Sequence, residues 1–212
     1  MRRQKLAAWR KLTTRKPRTS TPMPPEERNH LNEAYLKAQT ILEYGSGIST
    51  EFAATLPGKT VFSIESDSAW CEALRHRLPA PADGTHVHLR HVDIGPTGEW
   101  GRPTGTKHWS EFHTYPLSIW QEPGFQQPDL VLIDGRFRVA CFAATCIFAE
   151  KPIKLLFDDY YPRPRYHCVE EMFHPVQRIG RMAEFHIQPR AYTPLEIAKF
   201  ITFFSMASYA PA

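Results

Sequence analysis

The chain has 212 residues, of which 42% are hydrophobic, and it carries a formal net charge of +4. This length suits one α/β domain with one hydrophobic core, and no apolar run approaches the roughly 20 residues that cross a bilayer. Eight of the 26 Lys and Arg residues lie between Arg2 and Arg18, where no acid occurs, so the remaining chain is mildly acidic. Binding to nucleic acid in general is therefore not expected.

The charge distribution predicts two parts, a basic and flexible arm over residues 1–23 and a single domain over residues 24–212. The arm is poor in apolar residues, which is typical of a solvated terminus. Contact with RNA, anionic lipid or a partner protein, or an organelle address, are the other interpretations of such a segment. The four cysteines lack the paired short spacing of a zinc site. They indicate a reducing compartment, and we expect a cytoplasmic protein.

Strand and helix patterns alternate along the chain. Helices are predicted at 26–37, 49–56, 68–78, 137–149 and 165–173, and strands at 39–44, 61–65, 86–94, 129–134, 153–157, 176–179 and 182–187. Alternation predicts a doubly wound, mostly parallel sheet of seven strands, which is a Rossmann-like α/β fold. The last two strands flank Gly180-Arg181 and predict an antiparallel hairpin at the C-terminal end.

Two further segments are less regular. Residues 95–128 are rich in glycine, proline and aromatic residues, and so long an insertion tends to be functional. Its tryptophans and tyrosines either cover a substrate or pack the loop onto the body. Residues 195–206 are apolar and predict either a docking helix or a strand at a subunit contact, so a homodimer is one possibility.

Acidic residues follow five predicted strands in succession. They are Glu43, Glu65, Asp93, Asp134 and the pair Asp158-Asp159. Ligands of open parallel sheets bind beyond the carboxyl ends of the strands. The tight Gly45-Ser46-Gly47 turn and an acid about 20 residues later are typical of a site for a ribose. A dinucleotide-binding loop has its third glycine at position 50, but this chain has Thr50 there. An NAD-dependent dehydrogenase is therefore the least favoured interpretation.

The stretch Ile41-Leu-Glu-Tyr-Gly-Ser-Gly-Ile-Ser49 resembles the first motif of class I S-adenosylmethionine-dependent methyltransferases. Glu65, Val92-Asp93-Ile94 and Ile133-Asp134-Gly135 extend the resemblance, and small bacterial methyltransferase-like proteins of unassigned function share these stretches. The resemblance implies that S-adenosylmethionine is the cofactor. Gly45 to Gly47 would line its methionine and ribose, Glu65 would bind the ribose hydroxyls, and Asp93 would lie beside the adenine. The implied cofactor-binding residues are Glu43, Tyr44, Gly45, Ser46, Gly47, Ser49, Glu65, Ser66, Asp93, Ile94 and Asp134.

A branch of small-molecule O-methyltransferases is resembled by two later stretches, Val131-Leu-Ile-Asp-Gly-Arg-Phe-Arg138 and Leu155-Leu-Phe-Asp-Asp-Tyr160. In the metal-dependent members of that branch, acids at these places hold a divalent cation. By position, Asp134, Asp158 and Asp159 are the candidate ligands, and Mg²⁺ suits carboxylate oxygens. Arg136 and Arg138 depart from that pattern, since a histidine is expected there. These arginines either form an ion network with the acids, displacing a metal, or bind an acidic substrate.

The resulting hypothesis is methyl transfer to an oxygen or nitrogen of a small molecule, acidic or aromatic in character. The candidate catalytic residues are Asp134, Arg136, Asp158, His108 and His113. One alternative is a Rossmann-like nucleoside-binding protein without catalysis, and another is an RNA-directed methyltransferase that uses the basic arm.

Overall fold

A computed structural model describes residues 23–211 of the chain. The basic arm predicted for residues 1–23 lies outside the described residues, apart from Met23. The predicted boundary between arm and domain therefore stays a prediction. Within the described part, no helix is both long and apolar enough to cross a membrane.

The helices and strands follow the predicted alternation closely. In chain order they are α1 (Pro25–Lys37), β1 (Thr40–Tyr44), α2 (Ile48–Ala54), β2 (Thr60–Glu65), α3 (Ser68–Arg77), β3 (His86–His91), α4 (Thr114–Leu117), β4 (Leu130–Ile133), α5 (Arg138–Phe148), β5 (Ile153–Phe157), β6 (Gln177–Ile179), β7 (Met182–Ile187) and α6 (Pro194–Phe204). Short 3-10 helices lie at Glu99–Gly101, Trp109–Glu111, Ser118–Gln121 and Pro164–Glu171. The last of these replaces the α-helix predicted over 165–173.

The seven strands form one sheet in the order β3-β2-β1-β4-β5-β7-β6. The first five strands in this order pair in parallel, and β7 is antiparallel to both β5 and β6. Strands β1 and β4 are buried along their whole length, because helices cover both faces of the sheet. This arrangement confirms the predicted doubly wound sheet with its C-terminal hairpin.

Each face of the sheet packs its own apolar cluster. Leu42 and Tyr44 of β1 point into the larger cluster, which includes α5 and α6, whereas Ile41 points into the smaller one beside α1. This alternation follows from the two-residue period of a strand. The apolar segment near the C-terminus is a helix, α6, which buries Phe200 and Phe203 against the larger cluster. Homodimerisation stays a prediction.

Part of the aromatic insertion packs onto the body. Phe112, Tyr115 and Ile119 are buried in the larger cluster. The Tyr44 hydroxyl donates a hydrogen bond to the Pro116 carbonyl at 2.7 Å and accepts one from Trp120 Nε1 at 2.7 Å. These contacts attach the insertion to β1, next to the carboxyl edge of the sheet.

Candidate functional site

A cavity of about 570 Å³ opens at the carboxyl edge of the sheet. Residues at or directly after the ends of β1, β2, β4 and β5 border it, so four strand ends meet at one site. Residues of α1 and α2 complete the wall, among them Arg28, Asn32 and Phe52. A volume of this size is typical of small-molecule sites.

The glycine turn after β1 contacts the turn after β4 through the backbone. Gly45 has a φ of +102° and donates its N–H to the Ile64 carbonyl at 2.8 Å. A Cβ atom on Gly45 would lie 2.6 Å from the Gly135 nitrogen. Both turns are therefore glycine-dependent, because the backbones touch where a side chain has no space.

Glu43 lies beneath this turn and is fully buried. Its carboxylate accepts hydrogen bonds from the Tyr35 hydroxyl at 2.7 Å and the Thr50 hydroxyl at 2.5 Å. The Thr50 hydroxyl in turn accepts the N–H of Gly47 at 3.0 Å. Burial raises the pKa of Glu43, although these hydroxyl donors oppose the shift. Through Thr50, Glu43 thus stabilises the turn from inside the protein. Neither Glu43 nor Tyr44 is among the residues that line the cavity.

Glu65, at the end of β2, lines the cavity beside the turn. Its Oε1 accepts the backbone N–H groups of Ser66 at 2.8 Å and Asp67 at 2.9 Å, and its Oε2 accepts the Ser46 hydroxyl at 3.3 Å. These donors fix the orientation of this carboxylate. Ser66 lies behind it, where its hydroxyl donates to the Gly101 carbonyl at 3.0 Å.

Two tryptophans border the same part of the cavity. Trp70 Nε1 donates to the Ser46 carbonyl at 2.8 Å, which links α3 to the glycine turn. Trp100 has a φ of 61° and lies where the insertion folds back toward Glu65. Trp70 was not predicted as a site residue, because nothing in its local sequence distinguishes it from an ordinary helix residue. Ser49 also lines the cavity.

The acids after β4 and β5 form the other end of the cavity. Carboxylate oxygens of Asp134, Asp158 and Asp159 lie within 4.8 Å of one another. Burial, reinforced by the charges of Asp134 and Asp159, raises the pKa of Asp158 to about 7. Their repulsion together with burial outweighs the attraction of the neighbouring arginines.

Three arginines compensate this acid cluster. Arg138 pairs with Asp134 at 2.9 Å, and Arg163 pairs with Asp159 at 2.5 Å. Arg181 lies 3.3 Å from Asp158 and 3.1 Å from Asp159. A divalent cation among these oxygens would face three guanidinium groups, so the donor set does not fit Mg²⁺. The arrangement is the internal ion network that the sequence left open, but Arg163 and Arg181 complete it in place of Arg136.

Seven predicted site residues do not line the cavity: Glu43, Tyr44, Ser66, Asp93, Ile94, His108 and His113. Asp93 is exposed and its carboxylate accepts the N–H of Gly95 at 2.8 Å, while Ile94 is buried in the core. His108 packs against Gly95, and His113 is exposed. After β3 ends at His91, the chain borders the cavity only at Trp100 and Arg102 before it reaches His108 and His113.

The chain is similar to a protein of known structure over most of its length. A methyltransferase-like protein from Silicibacter pomeroyi shares 46% identity, with a TM-score of 0.83 over 88% of this chain and 97% of that chain. No family model matches the sequence, and no curated protein matches it.

Two more distant structures share the fold. A cofactor-bound protein from MTB has a TM-score of 0.58 at 17% identity, over 87% of this chain and 90% of its own. The O-methyltransferase TomG from Streptomyces achromogenes, in complex with SAM, has a TM-score of 0.54 at 18% identity, over 80% and 82%. The strand order and the site at the carboxyl edge define a class I methyltransferase fold. The chain belongs to the class I S-adenosylmethionine-dependent methyltransferase-like family.

Proposed function

We propose that this protein is an S-adenosylmethionine-dependent methyltransferase that acts on an oxygen or nitrogen of a small molecule. The observation that carries the proposal is that the Gly45–Gly47 turn, Glu65 and Asp134 border one cavity. The Silicibacter pomeroyi relative is methyltransferase-like, and the fold is the one in which TomG binds SAM.

In this proposal the donor occupies the part of the cavity between α3 and the glycine turn. The turn lets the ligand approach the backbone closely, because Gly45 and Gly47 carry no side chain. The Glu65 carboxylate accepts the ribose hydroxyls, since its orientation is already fixed by Ser66 and Asp67. Trp70 and Trp100 offer aromatic faces to the purine.

The other part of the cavity, beside Asp134 and Asp158, receives the acceptor. The bound donor supplies a methyl group that its sulfonium already activates. The remaining work of the protein is to orient the acceptor and exclude water. Asp158 is the candidate proton acceptor, because a pKa near neutrality suits a general base. Arg138, held by four hydrogen bonds, fixes Asp134 in position.

Calorimetry with S-adenosylmethionine, S-adenosylhomocysteine and NAD tests the donor assignment. We expect the first two to bind and NAD not to bind. Replacing Glu65 by Ala should weaken S-adenosylhomocysteine binding about tenfold or more, as expected when a charge-assisted hydrogen bond is lost. Glu72→Ala, which removes an exposed acid of α3, is the matched control. Unchanged affinity of Glu65→Ala would remove Glu65 from the site.

A nucleoside-binding protein without turnover is the second candidate, favoured by the arginines that neutralise the acid cluster. Incubation of the protein with methyl-labelled donor and a metabolite pool separates the two candidates. We expect label to move into a small molecule in the wild type and not in Asp158→Asn. Donor binding without any transfer would favour the second candidate.

We also propose a cytoplasmic location for the protein. All four cysteines are free, and Cys71, Cys141 and Cys146 are buried. Burial raises the pKa of Cys141 well above its usual range, so this thiol stays protonated and unreactive. Free thiols of this kind suit a reducing compartment.

A further inference from the structure

A second cavity, of about 270 Å³, adjoins the first. Gly135, Arg136 and Arg138 line both cavities, so the two cavities share this part of their wall. The far side of the second cavity consists of Arg165, Tyr166 and residues 205–208. Its lining contains three arginines and no carboxylate, unlike the larger cavity.

The two arginines of the shared wall differ in their partners. Arg138 is saturated, because it donates to three carbonyls and pairs with Asp134. Arg136 makes no ion pair within residues 23–211, and its buried Nε has no hydrogen-bond partner there. Burial, with the charge of Arg138, lowers the pKa of Arg136 to about 10. Arg136 is still cationic at neutral pH, and it is a partly buried cation that forms no ion pair in the described range.

The beginning of α5 faces the same space. Phe137, Arg138 and Val139 line the second cavity, and they form the N-cap and first turn of this 11-residue helix. Phe137 has a φ of 49° and provides no side-chain cap. The N-terminus of a helix attracts anions through its unpaired N–H groups and its dipole.

Arg165 and Tyr166 border the cavity from the segment after β5. Arg165 is exposed, makes no ion pair within the described range, and lies over the Tyr166 ring, 5.2 Å from its centroid. Burial alone would raise the pKa of Tyr166, but the charges and hydrogen bonds of Arg138, Arg163 and Arg165 lower it. Three arginines and no carboxylate line the cavity, so the charge of its lining is positive.

We propose that the second cavity is an oxyanion subsite in which Arg136 and Arg165 bind a carboxylate or phosphate group of the methyl acceptor. Both oxyanions present the pair of acceptor oxygens that a guanidinium matches. The inference rests on the proposed function, because it concerns the acceptor of that reaction. Because Arg136 lines both cavities, the proposal places the reacting part of the acceptor in the larger cavity, which Asp134 also lines.

Titration with simple oxyanions tests the subsite without knowledge of the acceptor. Sodium phosphate and sodium benzoate are added separately to the protein, with and without saturating S-adenosylhomocysteine, at an ionic strength held constant with sodium chloride. Heat of binding is measured for the wild type, Arg136→Gln, Arg165→Gln and Arg178→Gln. Arg178 is an exposed arginine of β6 outside both cavities and serves as the control.

We expect the wild type to bind at least one oxyanion, with phosphate or benzoate preferred according to the group that the acceptor carries. Arg136→Gln should weaken binding about tenfold, as expected for one lost charge-assisted hydrogen bond. Arg165→Gln should weaken it to a smaller extent, because this side chain is exposed, and Arg178→Gln should not change it.

Two results would overturn the subsite. One is a wild type that binds neither oxyanion, and the other is equal binding by the wild type and both Arg136→Gln and Arg165→Gln. Arg165→Gln keeps the test valid if Arg136→Gln does not fold, since Arg165 is on the surface. Failure of S-adenosylhomocysteine to bind contradicts the proposed donor instead, and the titrations without it still test the subsite.

Discussion

The contact between the two glycine turns gives the sharpest prediction about the architecture of the site. Gly45→Ala places a methyl group at a φ of +102° and 2.6 to 2.9 Å from backbone atoms of Asp134 and Gly135. An alanine in a left-handed conformation costs about 1–2 kcal/mol. Overlap with backbone atoms that cannot rotate away adds about 1–3 kcal/mol. The expected loss in the free energy of unfolding is therefore roughly 2–5 kcal/mol.

Gly124→Ala is the matched control, because Gly124 has a φ of +85° and no atom lies within 4 Å of the added methyl group. It should lose only the conformational cost, about 1–2 kcal/mol. Urea denaturation measures both free energies, and calorimetry measures S-adenosylhomocysteine binding. Gly45→Ala should weaken that binding, whereas Gly124→Ala should not. Equal stability losses and equal affinities in the two variants would refute the reasoning.

Three further outcomes are expected. The pKa of Asp158 in the folded state is raised to about 7, so the folded protein binds the carboxyl proton more tightly than the unfolded chain does. As the pH rises from about 4 to about 7, the free energy of unfolding of the wild type should therefore fall by a few kcal/mol relative to that of Asp158→Asn. A relative stability independent of pH would contradict this. Donor turnover should withstand EDTA, since arginines already neutralise the acids; loss of turnover restored by Mg²⁺ would contradict it. Trp70→Phe leaves the Ser46 carbonyl without its indole donor and should weaken S-adenosylhomocysteine binding by about 0.5–1.5 kcal/mol in calorimetry. The exposed Trp109 provides the control Trp109→Phe, and equal affinities in these two variants would exclude Trp70 from the site.

The fold was predictable because its strands carry strong local signals. The buried strands β1, β4 and β5 are nearly continuous apolar runs, and each ends at an acid or a glycine. Parallel strands bring such ends to one edge of a sheet. That rule placed Glu65, Asp134 and Asp158 together without any knowledge of tertiary contacts.

The partners of the acids were not predictable in the same way. Arg163 and Arg181 reach Asp159 from the segment after β5 and from the turn between β6 and β7. Arg181 is distant from Asp159 in the sequence, and Arg163, although four residues from Asp159, does not share a helix with it. Both pairings therefore depend on side-chain directions that local sequence does not predict. The contribution of helix α1 to the cavity wall could not be predicted either, because it also depends on tertiary packing.

Local sequence was also insufficient for Asp93 and for the C-terminal apolar segment. The Asp93 carboxylate accepts the backbone N–H of Gly95, whereas the motif alone predicts that this carboxylate contacts a ligand. The apolar residues of α6 fit a helix or a strand about equally well until Phe200 and Phe203 are seen to share a buried side.

The most direct test of the central claim is a crystal structure of the protein with S-adenosylhomocysteine. We predict that the ribose hydroxyls lie within about 3.2 Å of the Glu65 carboxylate and that the amino-acid part of the ligand lies along the Gly45–Gly47 turn. The sulfur should face Asp134 and Gly135. A ligand bound outside this cavity, or one whose ribose lies away from Glu65, would contradict the assignment of the methyl-donor site.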